Sequence, residues 1–131
     1  MKIQHVLFAL SLAATAVAAQ AGDLYVVAGP NVALSADEVR QVFLGDKQFS
    51  GSTKLVPVDN GALQSEFQSR VLKVDGSRYN SLWAKKGFRE GLNPPQVRQS
   101  DAEVLASVKA NPGTVGYVSK PTPDVKVLQK F

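Results

Sequence analysis

The sequence contains no cysteine, and its single histidine is His5. Without thiols the chain forms no disulfide and has no cysteine nucleophile, and the residues after His5 offer no imidazole. Ser-His-Asp catalysis, Cys-His catalysis and zinc sites built on His or Cys are therefore excluded for that part of the chain. We expect a protein that is not an enzyme, has no cofactor and no metal site, and is held together by its apolar core.

An excess of charge of one sign is also lacking, because 15 Lys and Arg face 11 Asp and Glu. There is no long basic run, so we expect no nucleic-acid partner. The basic residues are nevertheless dense in one region. Either a solvated face or a contact surface for an acidic partner explains that density. The residues concerned are Arg78, Lys85, Lys86, Arg89 and Arg98.

The N-terminal segment has the pattern of a cleavable signal peptide. A short basic start, residues 1–5, precedes an uncharged run at 6–19 and the small-x-small site Ala19-Gln20-Ala21. A retained anchor is the alternative, but the run is shorter than the ~20 apolar residues that a membrane-spanning helix needs. We predict a signal peptide at 1–21, periplasmic localisation, and one domain at 22–131.

Alternating strand-like and helix-like patterns follow the predicted signal peptide. They predict an α/β fold: a single three-layer domain with a mixed, mostly parallel sheet. Pro57 in the second strand indicates an edge position or an unpaired strand end, because proline has no N–H to donate. The predicted elements are strand 24–28, a helix from Ser35 to Gly45, strand 54–59, a helix bearing Leu63, Phe67 and Val71, a break at 75–77, a helix bearing Tyr79, Leu82 and Trp83 that ends near Gly87, a loop at 88–99, a helix from Ser100 to Asn111, and strands 114–119 and 125–128.

Two predicted helices begin with a capping-box pattern, Ser35 with Glu38 and Ser100 with Glu103. Asp37 and Asp101 lie in the same first turns, where acidic side chains interact favourably with the helix dipole. We therefore interpret these acidic pairs as helix starts and not as acid–base couples.

The turn after the second strand is the best candidate binding site. Open α/β sheets bind ligands beyond the carboxyl ends of their strands, and a helix that starts there presents backbone N–H groups to an anion. The loops at 29–35 and 119–120 occupy comparable positions. A plain N-cap by Asp59 or Asn60 is the alternative, and a charged Asp59 would repel an anion. The predicted ligand-binding residues are Asn60, Gly61, Ala62, Gln64 and Ser65.

Several segments together resemble the phosphate-type periplasmic substrate-binding proteins. They are 34–39 (LSADEV) with 42–45 (VFLG), 55–59 (LVPVD), Phe67, 79–83 (YNSLW) and 111–118 (NPGTVGYV). The resemblance covers nearly all of 22–131 and implies the fold of one lobe of a type II periplasmic binding protein. It implies non-catalytic binding of phosphate, another oxyanion or another solute, with a membrane transporter or receptor as protein partner.

Two features depart from that family. The family has two lobes, and its loop after the second strand carries Arg followed by Ser-Gly-Thr, whereas residues 59–64 read DNGALQ here. A second function therefore stays open: a periplasmic interaction module that contacts a membrane receptor, sensor or transporter without tight phosphate binding. A homodimer is a further expectation, because pairing two single lobes would restore a cleft.

Overall fold

The computed structural model describes residues 22–131, so the predicted signal peptide lies outside the described residues. Strands and helices alternate along most of this range, and a π-helical turn at Gln68–Leu72 continues the second helix. The elements are β1 Tyr25–Ala28, α1 Ala36–Phe43, β2 Phe49–Ser50, β3 Thr53–Lys54, β4 Val56–Asn60, α2 Gln64–Phe67, α3 Gly76–Glu90, β5 Gln96–Arg98, α4 Asp101–Ala110, β6 Thr114–Val118 and β7 Lys126–Lys130.

A five-stranded sheet in the order β5-β4-β6-β1-β7 forms the centre of the fold. β4 is parallel to both β5 and β6, whereas β1 is antiparallel to β6 and β7. The predicted mixed sheet is confirmed. Because β4, β5 and β6 run in one direction, their carboxyl ends at Asn60, Arg98 and Val118 lie along the same edge of the sheet.

Helices cover both faces of the sheet, which confirms the three-layer prediction. Alternate residues of a strand point to opposite faces, so Val26 packs with α1, α2 and α3 whereas Val27 packs with α4. The core on the first face includes Phe43, Phe67, Tyr79, Trp83 and Tyr117. The core on the second face consists of Val27, Val58, Val104, Leu105, Val108 and Val118.

Both predicted N-caps are present. Ser35 and Glu38 form the complete reciprocal capping box at α1. At α4 the Ser100 hydroxyl accepts from the Glu103 N–H, but the Glu103 carboxylate accepts from the N–H of Gln99, one residue earlier than the pattern predicts. Within residues 22–131, no helix has the length and apolar character needed to cross a membrane.

Some predicted boundaries are wrong. α3 does not end near Gly87; it continues to Glu90 because Gly91, at φ 67°, adopts the left-handed conformation that ends the helix. The predicted loop at 88–99 therefore contains the last turn of α3 and all of β5. The hairpin of β2 and β3 was not predicted, and the last strand occupies 126–130 instead of 125–128. Strands of two or three residues are too short to show a periodicity.

Pro57 does not lie on an edge strand, because β4 is flanked by β5 and β6. The N–H of Val56 points to β6, where the Gly113 carbonyl accepts it at 2.8 Å. The next nitrogen, that of Pro57, therefore faces β5, whose pairing with β4 begins only at Val58 opposite Gln96. The alternative prediction of an unpaired strand end holds on the β5 side only, because Pro57 is paired with Val115 of β6.

Candidate functional site

Asn60, the last residue of β4, connects three elements at the carboxyl edge of the sheet. Its side chain is fully buried, and its amide nitrogen donates to the Asp101 carboxylate at 2.9 Å and to the Tyr117 carbonyl at 3.1 Å. Its amide oxygen accepts from the N–H of Ala62 at 3.1 Å. Asn60 therefore joins β4 to β6 and to the start of α4, and it closes its own turn.

The other predicted ligand-binding residues lie in two places. The N–H of Gly61 donates to the Arg98 carbonyl at 2.6 Å, and the N–H of Ala62 donates to the Asn60 side chain. Both backbone amides of this turn therefore already have acceptors within the protein. Gln64 is half-buried and Ser65 exposed, both at the start of α2. The N-cap of α2 is Leu63, without a side-chain bond, so neither Asp59 nor Asn60 caps it. Ligand binding by the five residues stays a prediction.

A set of hydrogen-bond donors converges on the Asp101 side chain at the same edge. Asp101 Oδ1 accepts from Asn60 Nδ2 and from the Ser119 N–H, at 2.9 and 3.2 Å. Oδ2 accepts from the Ser119 N–H, the Ser119 hydroxyl and the Lys120 N–H, at 3.1, 2.6 and 3.1 Å. We call the donors of Asn60, Ser119 and Lys120 the oxyanion cradle, because together they hold both oxygens of a carboxylate.

The parts of this cradle can be predicted from the sequence, but their association cannot. Asn60 and the loop at 119–120 were candidates because each follows a parallel strand. Asp101 was interpreted only as a helix start. Its proximity to Ser119 depends on the crossover through α4, which brings two chain segments 18 residues apart to one point. The only feature of the sequence that could have indicated the contact between Asp101 and Ser119 is an acidic residue at the start of a helix that precedes a strand end.

Asp59 lies next to the cradle in sequence, but its carboxylate points into the core. It is 1% exposed, and it accepts from the hydroxyls of Tyr79 and Tyr117 at 2.7 and 2.9 Å. Among the ion pairs of residues 22–131, none includes Asp59. Burial therefore raises the pKa of Asp59 above its usual value, while the tyrosine hydroxyl bonds oppose the shift.

Tyr79 and Tyr117 act as obligatory donors to this carboxylate. Burial raises the pKa of both hydroxyls, and the negative charge of Asp59 raises it further, so both remain protonated. The ring of Tyr117 also stacks on Phe67, with 3.8 Å between centroids and an interplanar angle of 7°. No pattern in the sequence indicates this group, because buried aromatic residues are usually explained by packing alone.

The predicted basic cluster divides into two parts. Four of its members line a surface groove of about 330 Å³ along α3, namely Arg78, Lys85, Lys86 and Arg89. Arg98 instead lines a cavity of about 890 Å³ between β4, β5 and α4, and it donates to the Gln96 side chain at 3.1 Å. Phe88 is 94% exposed on α3, the helix that carries this groove.

No group of three or more His, Cys, Asp or Glu side chains within residues 22–131 has an arrangement that could hold a metal ion. The polar chemistry of the carboxyl edge is hydrogen-bond donation from Asn60, Ser119 and Lys120. Such an arrangement can bind and orient an oxyanion.

One solved structure with a similar fold is an ABC-type phosphate transport receptor from Vibrio cholerae. The TM-score is 0.50 and the sequence identity 16%, over 82% of this chain and 46% of the receptor, so this chain spans less than half of the receptor's length. No protein-family model matches the chain, and no curated protein matches it in sequence. At this identity the likeness shows the fold alone: a mixed α/β domain folded like part of that receptor. The fold that the resemblance implied is confirmed, and the rest of what it implied stays a prediction.

Proposed function

We propose that the chain is an exported, non-catalytic binding-protein-like domain that captures a small oxyanion, such as phosphate, and presents it to a membrane transporter. The observation that carries this proposal is the oxyanion cradle at the carboxyl edge of the sheet. Its donors come from the ends of two parallel strands, the position at which open α/β sheets bind ligands. They already hold two oxygen atoms of a carboxylate, at 2.6–3.2 Å.

Modest affinity is expected. Ser119 and Lys120 are exposed, so a ligand in this cradle stays in contact with water, which weakens charge-assisted hydrogen bonds. A two-lobed binding protein surrounds its ligand, whereas this chain provides one surface. A homodimer with two cradles facing each other would supply the missing half. Light scattering with and without phosphate tests that arrangement, and a monomer under both conditions would exclude it.

Isothermal titration calorimetry of the purified protein at neutral pH tests the capture of an anion. Phosphate, sulfate and acetate are titrated at constant ionic strength, with chloride as the control. We expect saturable heat from phosphate with a Kd on the order of 1 mM, which corresponds to about −4 kcal/mol. Absence of heat from every oxyanion up to about 10 mM, ten times that Kd, would reject the proposal.

Export is tested separately from ligand binding. The full chain is expressed in a Gram-negative host, and the mass of the protein in the periplasmic fraction is measured. We expect a product that has lost residues 1–21, because the small-x-small site at Ala19-Gln20-Ala21 suits a signal peptidase. An uncleaved chain in the membrane fraction would instead support the retained anchor.

A second candidate is an interaction module that contacts a membrane receptor, sensor or transporter without tight phosphate binding. The surface of α3 favours it, because Phe88 is 94% exposed on the helix that carries the basic groove. An exposed aromatic ring on the helix that carries Arg78, Lys85 and Arg89 suits a partner with an acidic rim around an apolar pocket. The test is co-purification from solubilised membranes with the native chain and with Phe88→Ala. A membrane protein that co-purifies with the native chain, is released by salt and does not co-purify with Phe88→Ala supports this candidate. Equal recovery by both chains contradicts it.

A further inference from the structure

We propose that the Asp101 carboxylate is an internal ligand of the oxyanion cradle, so that an external oxyanion binds there only by displacing it. This inference rests on the proposed function, because it concerns the occupancy of the same site. It assigns to Asp101 a role that the helix-start interpretation does not include. Asp101 competes with the ligand and thereby sets its affinity.

The geometry of the contacts is that of a bound anion. Five hydrogen bonds reach the two carboxylate oxygens, and their donors belong to the ends of β4 and β6. Asp101 belongs to neither strand and reaches the cradle from the start of α4. If its side chain swings away, Ser119 and Lys120 present donors to the solvent at the place where the carboxylate oxygens were.

The start of α4 does not depend on the Asp101 side chain. The Ser100 hydroxyl caps the helix by accepting from the Glu103 N–H at 3.3 Å, and the Glu103 carboxylate accepts from the Gln99 N–H at 2.6 Å. Asp101 is only partly buried, in contrast to Asp59 at 1% exposure. The side chain can therefore leave the cradle while the helix keeps its cap.

A tethered carboxylate is a strong competitor. Because Asp101 is attached beside the donors, its effective concentration there is in the millimolar range or above. A free carboxylate of the same chemistry, such as acetate, must overcome that concentration. Phosphate brings more oxygen atoms and more charge, so it competes better than acetate does. Removal of the Asp101 carboxylate should therefore increase the affinity for both anions.

The test is a comparison of the native protein with Asp101→Ala and with the matched control Asp37→Ala. Asp37 is also an acidic residue in the first turn of a helix, α1, but it lies outside the cradle. The apparent Tm of each protein is measured with increasing phosphate or acetate at constant ionic strength, and Kd values are obtained by calorimetry. We expect Asp101→Ala to bind phosphate at least about tenfold more tightly than the native protein. At ten times its Kd the rise in Tm should be about 5 °C.

Acetate identifies the cradle as the site, since acetate replaces the deleted carboxylate group. We expect acetate to raise the Tm of Asp101→Ala and to leave the native protein and Asp37→Ala within about 1 °C of their starting values. The further change Asn60→Ala in the Asp101→Ala background removes one cradle donor. It should reduce both anion effects.

The outcomes separate this inference from the proposed function. Tight binding by Asp101→Ala with no binding by the native protein supports the internal ligand and refutes capture by the native chain. Equal binding by native, Asp101→Ala and Asp37→Ala overturns the internal ligand and leaves capture standing. No anion binding by any of the three overturns both.

A second variant covers the case in which Asp101→Ala does not fold. Asp101→Asn keeps the size of the side chain but replaces one acceptor oxygen by an NH₂ group, which cannot accept from Ser119 or Lys120. We expect the same gain in phosphate affinity at a smaller loss of stability. An Asp101→Asn protein that binds phosphate no better than the native chain overturns the inference.

Discussion

Replacing Tyr117 by Phe tests the account of the buried Asp59 carboxylate. The change removes one hydroxyl and keeps the ring, which stacks on Phe67 at 3.8 Å and meets Phe43 edge-on at 5.6 Å. The lost bond, from the Tyr117 hydroxyl to Asp59 Oδ1, is 2.9 Å long and is completely buried. Any loss of stability therefore reports on the hydrogen bond and not on core packing.

The expected loss follows from the charge of the acceptor. A hydrogen bond to a charged group contributes about 1.5–3 kcal/mol, and Asp59 has no cation among its partners that would compensate. At a pH at which Asp59 is ionised, we therefore expect the free energy of unfolding of Tyr117→Phe to fall by about 2 kcal/mol. For a domain of this size the corresponding fall in Tm is about 8 °C.

The assay is urea unfolding monitored by circular dichroism, for the native protein, Tyr117→Phe, Asp59→Asn and the double variant. In the Asp59→Asn background the bond joins two neutral groups, so the same change should cost only about 1 kcal/mol. The difference of about 1 kcal/mol between the two backgrounds measures the contribution of the charge. A cost below about 0.5 kcal/mol, or an equal cost in both backgrounds, would refute the reasoning.

Three further predictions follow from the described core. Burial raises the pKa of Asp59 above its usual 3.8, so the folded state binds the Asp59 proton more tightly than the unfolded state does. Protonation of Asp59 therefore adds to the free energy of unfolding. This contribution is fully present below pH 3.8 and is lost as the pH rises through the pKa of the folded state. The free energy of unfolding of the native protein and of Asp59→Asn is measured by urea titration at several pH values. The native value minus the Asp59→Asn value should decrease as the pH rises above about 4, and a difference that does not change with pH contradicts this. Gly116→Ala should lower the free energy of unfolding by about 1–3 kcal/mol, because a Cβ there would lie 2.5 Å from Val104 Cγ1. An unchanged urea midpoint would contradict this, because it would show that α4 accommodates the added Cβ without a loss of stability. Trp83→Phe removes the indole N–H that donates to the Phe43 carbonyl at 3.0 Å, and the smaller ring leaves a gap. We expect thermal unfolding to show that the free energy of unfolding falls by about 2 kcal/mol. A fall of less than about 0.5 kcal/mol would contradict this prediction.

Much of the fold could be predicted from local chemistry. Ser35 with Glu38 forms the capping box that the pattern predicts, and Gly45 has the positive φ of 79° expected after α1. Such features depend on neighbours within a few residues, so the sequence contains all the information they need. The short strands β2, β3 and β5 could not be predicted in this way, because their pairing partners decide whether they form.

The candidate site also combines features that depend on nearby residues with features that depend on distant ones. Asn60 was identified because it follows a strand, and its position at the carboxyl edge of the sheet agrees with that reasoning. The role of its side chain was not foreseen, because Asp101 and the Tyr117 carbonyl are 41 and 57 residues away along the chain. A hydrogen bond between distant segments depends on the crossovers that bring the segments together.

Four features are already evident in the amino-acid order: the absence of thiols, the absence of imidazole beyond His5, the α/β class, and the starts of α1 and α4. Composition, periodicity and capping are properties of the chain that do not depend on how it folds. The different positions of Asp59, in the core between two tyrosines, and of Asp101, in the oxyanion cradle, result from the packing of distant segments. Both are aspartates next to a strand or helix end. The parallel arrangement of β4 and β6, with α4 between them along the chain, places one carboxylate in the interior and the other at the edge.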